Sequence, residues 1–164
     1  SSEGLLGCQR RGLHLESAAN TSDYRMSKTT TLSVEIRFGD CDPAGIVFFP
    51  RYHRWMDAAS LHFFMTCGVP PWHELEHTRG IVGTPLLEHH ARFVKSATYG
   101  ERLTITSHVQ EWRNKVFLQQ HVVTRGDELI CESLETRIFV VRDAQDRRRI
   151  HAIPVPEDIR ALCS

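Results

Sequence analysis

Two aspartates stand two positions apart in the run Phe38-Gly39-Asp40-Cys41-Asp42-Pro43-Ala44-Gly45. A carboxylate that is ionised at neutral pH can attack an activated carbonyl and give a mixed anhydride, or it can take a proton from water. Asp42 also precedes Pro43, and aspartate before proline often starts a turn by bonding the backbone just ahead of it. On these residues alone both readings of Asp42 stand, while Asp40 reads as a loop or capping carboxylate. A D-x-D pair could also suggest a magnesium phosphatase, but the alternating βα units expected there are missing from the downstream pattern. No G-x-S-x-G elbow and no activated-cysteine motif supplies another nucleophile. Ten histidines invite a metal reading. His89 and His90 are neighbours in an expected strand and point to opposite faces. His73 and His77 have the i, i+4 spacing of a helical chelate, without an H-E-x-x-H or Cys/His set around them. The expectation is no metal.

The elements that must position Asp42 follow it. Gly39 to Pro50 reads as a loop, and Pro50 suits the first turn of a helix, where its missing N–H costs nothing. Tyr52, Trp55, Met56, Ala59 and Phe63 recur at helical spacing, and Gly68 with Pro70-Pro71 ends the run. The start of such a helix carries unpaired N–H groups and partial positive charge, suited to a developing oxyanion. Pro50 cannot donate, so the Phe49 N–H is the candidate. A second stripe of Asp57, Leu61 and Phe64 suggests a helix covered on two sides, by a sheet and by a neighbouring chain.

The rest is strand-like. Thr31 to Phe38 alternates, with Leu32, Val34, Ile36 and Phe38 on one face. Gly83 to Ala97 reads as one long strand, and Leu103 to Trp112, Val116 to Thr124 and Leu129 to Val141 follow. Arg125-Gly126-Asp127 is a hairpin turn. Arg147 to Ile153 adds a last strand, and Pro156 to Leu162 a short helix. One long helix on one antiparallel sheet of about five strands is an α+β domain. Residues 30–164 form that single domain in this reading. Residues 1–29 read as a flexible N-terminal extension, with Met26-Ser27-Lys28 like a natural start and residues 1–25 a tail without assigned function.

The chain has 164 residues, 41% hydrophobic, with a formal net charge of +0. That suits one folded domain and argues against a nucleic-acid binder relying on a global positive field. No apolar run approaches the roughly 20 residues of a membrane span. The five cysteines, Cys8, Cys41, Cys67, Cys131 and Cys163, are odd in number and form no C-x-x-C pair, which reads as reduced thiols in a cytoplasmic protein.

The run Phe38 to Tyr52, FGDCDPAGIVFFPRY, closely resembles the signature of the 4-hydroxybenzoyl-CoA thioesterase family, hotdog-fold acyl-CoA thioesterases. Further segments match in order: His53 to Ser60, Cys67 to Trp72, Arg79 to Pro85, Glu111 to Lys115, and the ending Leu162-Cys163-Ser164. The resemblance covers roughly Thr31 to Ser164. It implies a sheet wrapped around one helix, with Asp42 as nucleophile or general base and the Phe49 N–H as oxyanion donor. It further implies that Asp57 meets the ring hydroxyl across a subunit boundary, with Thr84 lining the acyl pocket. Arg113 and Lys115 match its nucleotide-binding segment; were they in a strand, both would face one way and could reach one phosphate group. A helix aspartate paired with Arg54 or Arg51, and a solvated basic edge, are the plainer readings of Asp57 and of the Arg113/Lys115 pair. Two departures, Asn114 within the basic segment and a short turn at Gly126, touch the region expected to meet the CoA nucleotide. The implied reaction is aryl-CoA hydrolysis, most directly of 4-hydroxybenzoyl-CoA, without a metal or redox cofactor, in a homodimer or homotetramer. A thioesterase for other acyl groups (3-hydroxybenzoyl or short-chain), a non-catalytic acyl-CoA-binding hotdog protein and a hotdog hydratase remain open at this point.

Overall fold

In the computed structural model, which describes residues 27–164, the first apolar alternation forms an edge strand, β1 (Thr29–Glu35). The expectations for residues 1–26 lie outside the described residues. β1 stops at Glu35 rather than Phe38. Asp40 accepts the Arg37 N–H at 2.9 Å and closes a 3-10 turn over Phe38–Asp40. That local bond competes with the strand ladder. Phe38 is therefore 80% exposed and packs edge-on against Tyr99 instead of joining the core.

The helix α1 runs Pro50–Thr66, and α2 runs Trp72–Arg79. Gly80 ends α2 at φ 71°, a left-handed conformation that glycine adopts without strain. Of the expected strand from Gly83 to Ala97 only β3 (Leu86–Phe93) is strand; Gly83 ends a separate short strand, β2 (Ile81–Gly83), and residues 94–97 leave the ladder. Pro85 lacks an N–H for the ladder, and the Thr84 carbonyl accepts a side chain instead, from Arg137 at 3.0 Å. Then come β4 (Arg102–Trp112), β5 (Val116–Arg125), β6 (Glu128–Arg142), β7 (Ile150–Ile153) and α3 (Glu157–Cys163). The last strand begins at Ile150, not Arg147. Gly126, at φ 58°, lets β5 turn directly into β6.

All pairings between strands are antiparallel, in the order β1-β4-β5-β6-β2, with β3 and β7 also on β6. Among the described residues the sheet has seven strands rather than about five. β2 and β3 share one side of the long β6, and β7 continues the line of β5 on the other. The architecture is α+β, one curved sheet around one long helix: the hotdog arrangement.

Tyr52, Met56, Ala59, Ser60, Phe63 and Phe64 on α1 are buried. Phe63 and Phe64 join Phe117 and Phe139 in one core cluster, while Met56 joins Leu103, Ile105 and Val123 in another. Truncating one of these phenylalanines to alanine costs about 3–5 kcal/mol in comparable cores. The expected second stripe is divided: Phe64 is inside the molecule, while Leu61 and Asp57 remain exposed. The sheet face under α1 is not wholly apolar. Ser107, Gln119, His121, Ser133, Glu135 and Arg137 are all buried there. Among the described residues, no helix is long and apolar enough to cross a membrane.

Candidate active site

The segment between β1 and α1 is a miniature hairpin. Cys41 bridges Val47, and the Phe48 N–H donates to the Asp40 carbonyl at 2.9 Å. Gly45, at φ 79°, closes its tip, with its carbonyl held by Thr98 Oγ1 at 2.7 Å. Asp42 is half-buried at this tip, and its Oδ1 accepts the Ala44 N–H at 2.8 Å. The turn-starting bond and an available carboxylate thus coexist, since one oxygen serves the turn. Among the described residues, no cation forms an ion pair with Asp42. Asp40 is instead a structural clamp, taking the Arg37 N–H and facing Arg51 Nε at 3.4 Å.

The hairpin delivers Phe49 to the N-terminus of α1. Val47 and Phe48 spend their N–H groups on the Ala97 and Asp40 carbonyls, and Arg51 and Tyr52 spend theirs on the Phe48 and Phe49 carbonyls. Pro50 has none. Among the described residues no acceptor takes the Phe49 N–H, and α1 has neither a side-chain cap nor an acid in its first turn. An uncapped N-terminus with one open donor can stabilise an oxyanion.

Asp57 and Thr84 lie apart from this hairpin, in a cleft of about 610 Å³ whose walls include Arg54, Leu61 and Trp72. Neither Asp42 nor Phe49 lines it. One chain therefore carries the carboxylate and the open donor on the hairpin and the helix start that follows it, and the acyl-site candidates in a separate cleft. The ion-pair partner of Asp57 is neither Arg54 nor Arg51. It is Arg137, whose Nη2 donates to Asp57 Oδ1 at 2.9 Å.

Arg137 and Glu135 escaped the sequence reading, although a signal was present. They occupy the buried face of β6 between Ser133 and Phe139, two charges where the alternation asks for core residues. Glu135 Oε2 accepts Arg137 Nε at 2.7 Å and lies 3.2 Å from His121 Nε2, and its Oε1 lies 3.0 Å from His89 Nδ1. His121 Nδ1 reaches Ser107 Oγ at 2.7 Å. Burial pushes the Glu135 carboxyl up, but hydrogen bonding and charge from His121, with the Arg137 pair, outweigh it and hold it down at about 2. His53 packs edge-on over His89 and also touches Phe49. Burial, and then His89, lowers its pKa.

Arg113 and Lys115 do not sit in a strand. β4 ends at Trp112 and β5 starts at Val116, so both stand in the connecting turn. The Arg113 guanidinium is also engaged, with Nε and Nη2 each 2.9 Å from the Glu111 carboxylate. Both side chains are exposed at one end of the sheet. Cys41, Cys67, Cys131 and Cys163 are free thiols. Burial pushes the Cys131 thiol up to about 12 and raises Cys67 and Cys163, so none of these three is primed as a thiolate nucleophile. Among the described residues, no group of three His, Cys, Asp or Glu side chains is arranged to hold a metal ion.

Residues 36–162 match the family model of the thioesterase-like superfamily. The chain is 48% identical over 144 residues to the 4-hydroxybenzoyl-CoA thioesterase of Pseudomonas sp. (strain CBS-3), covering 85% of this chain and 100% of that one. A crystal structure of a mutant 4-hydroxybenzoyl-CoA thioesterase complexed with 4-hydroxybenzoyl-CoA superposes with a TM-score of 0.79, at 45% identity over 84% of this chain and 100% of that one. A gentisyl-coenzyme A thioesterase superposes with a TM-score of 0.68, at 28% identity over 82% of this chain and 98% of that one.

Proposed function

Because the chain belongs to the thioesterase-like superfamily, we propose that it hydrolyses aryl-CoA thioesters, with 4-hydroxybenzoyl-CoA as substrate and 4-hydroxybenzoate and CoA as products. The activity is that of an acyl-CoA thioesterase. The observation that carries the catalytic reading is the hairpin that holds a half-buried carboxylate, Asp42, and runs directly into the start of a helix with one open N–H.

The thioester carbonyl oxygen lies against the Phe49 N–H. As Asp42 attacks the carbonyl carbon, or draws a proton from an attacking water, charge collects on that oxygen and the helix N-terminus stabilises it. The CoA thiolate leaves. In the direct route, water then opens the mixed anhydride and frees the acid and Asp42. The acyl ring occupies the cleft beside Thr84, where Asp57 accepts the ring hydroxyl. Arg113 and Lys115 meet the CoA phosphates at the sheet end, and for this Arg113 exchanges Glu111 for phosphate.

The two half-sites are joined by a second copy of the chain, in a homodimer or homotetramer. The separation of Asp42 from the cleft containing Asp57 supports this, since one chain alone does not unite them. No metal or redox cofactor takes part, and CoA comes only with the substrate. The enzyme works in the cytoplasm.

The test is release of free thiol from 4-hydroxybenzoyl-CoA. Asp42→Asn should retain substrate binding and lose nearly all hydrolysis, and an active Asp42→Asn enzyme would sink the mechanism. A single turnover in ¹⁸O-labelled water separates the routes. Unlabelled product from the first turnover, with the label on Asp42, indicates direct attack followed by water adding to the Asp42 carbonyl carbon, and labelled product with an unlabelled Asp42 favours general-base catalysis.

A further inference from the structure

Arg137 has no place yet in the reaction, but its guanidinium is held in three directions at once. Nε donates to Glu135 Oε2 at 2.7 Å, Nη1 to the Thr84 carbonyl at 3.0 Å and Nη2 to Asp57 Oδ1 at 2.9 Å. These anchors belong to β6, to the break between β2 and β3, and to α1. The arginine side chain is 5% exposed, whereas that of Asp57 is 73% exposed. A buried fork therefore reaches out and grips an otherwise free surface carboxylate.

The fork is itself immobilised from behind. Glu135 balances the arginine charge and is flanked by His121 and His89, all inside the helix-facing polar band. Burying an arginine without such a partner is costly, and the planar guanidinium fits three acceptors at fixed angles, which a lysine ammonium cannot reproduce. The result at Asp57 is asymmetric. Oδ1 is occupied by Arg137, and among the described residues nothing donates to Oδ2.

We propose that Arg137 is the positioning residue for acyl-group specificity: by occupying Asp57 Oδ1 it aims Oδ2 into the cleft as a fixed acceptor for a ring hydroxyl. This rests on the reading of Asp57 as the hydroxyl partner. A carboxylate held in this way has one open oxygen and a ready-made direction, so a phenolic O–H completes it. An unsubstituted ring strips water from Oδ2 without replacing it, and sites of this kind reject the analogue by about 10⁴-fold or more. Holding Thr84 with the same guanidinium also sets the pocket wall at a constant distance from that oxygen.

The measurement is the ratio of kcat/KM for 4-hydroxybenzoyl-CoA to that for benzoyl-CoA, in a double-mutant cycle. Arg137→Lys keeps a charge beside Glu135 but cannot hold all three anchors. It should lower the ratio at least about tenfold in a protein that still folds, with cooperative unfolding at a lower temperature than the parent. Asp57→Asn should lower the ratio as well, and adding Arg137→Lys to it should leave the ratio within about twofold, because the arginine acts through Asp57. Arg137→Gln repeats the test without the charge if it folds, and Arg137→Lys carries the decision if it does not. A folded Arg137→Lys enzyme with the parent ratio overturns the inference, as does an equal loss in both backgrounds. An Asp57→Asn enzyme with the parent ratio overturns the reading of Asp57 and this inference with it. A parent enzyme that releases thiol from neither ester overturns the proposed substrate class.

Discussion

Replacing Glu135 with glutamine should destabilise the protein in a way that depends on pH. Its carboxyl is 2% exposed and sits between Arg137 and His121. Burial alone would raise its pKa, but the hydrogen bond and charge of His121, together with Arg137, bring it from its ordinary 4.5 to about 2. At about 1.4 kcal/mol per pH unit, that drop corresponds to about 3 kcal/mol of folding free energy at neutral pH. The cost of breaking a buried ion pair, about 3–5 kcal/mol, agrees in size. Because the folded value lies below the ordinary one, the contribution is fully present above about 4.5 and fades as pH falls toward about 2. Urea unfolding of the parent and Glu135→Gln proteins, at one fixed protein concentration, measures this. A gap of about 3 kcal/mol is expected at pH 7 and about 1 kcal/mol at pH 3. Equal stability at pH 7, or a gap that does not narrow in acid, would refute the reasoning, because either result means that the carboxylate gains nothing from its partners.

Phe49 has φ −50°, within reach of proline's ring, so Phe49→Pro removes the open N–H with little backbone change. It should lower kcat about 10²–10³-fold, while Phe49→Leu keeps activity within a few-fold because the donor is backbone; steady-state thiol release compares the two. Gly45→Ala places a side chain at φ 79°, costing about 1–2 kcal/mol at the hairpin tip. This should lower kcat together with thermal stability, read by the same assay and by scanning calorimetry. Native-state alkylation at pH 8 with mass-spectrometric mapping should label Cys41 well before Cys67, Cys131 and Cys163, whose burial raises their pKa values.

Much of this molecule is legible along the chain because its signals are local. Apolar alternation marks β4, β5 and β6 to within a residue or two, and Pro50 with the 3.6-residue stripe marks α1. The hairpin carrying Asp42 is likewise written in a short run of Gly, Asp and Pro, whose turn chemistry acts over neighbouring residues. Where a local rule met a competing bond, the pattern misled. Phe38 continues the alternation of β1, but Asp40 captures the Arg37 N–H and ends the strand. Gly83 to Ala97 reads as one strand, but Pro85 and the Arg137 bond to Thr84 split it. Arg113 and Lys115 have strand-like spacing, but the β4–β5 turn falls between Trp112 and Val116.

By itself the sequence determined the fold class, the long helix with its proline start, and the position of Asp42 ahead of it. Only the tertiary structure decided what Asp57 and Thr84 are to each other. They are separated along the chain and lie on different elements, and the residue that joins them, Arg137, is more distant still. No periodicity encodes that meeting. It arises because the curved sheet brings β6 under α1 and beside the break after β2, so that one buried guanidinium can reach all three. A charge on a core face could be noticed in the sequence, but its partners exist only once the sheet has closed around the helix.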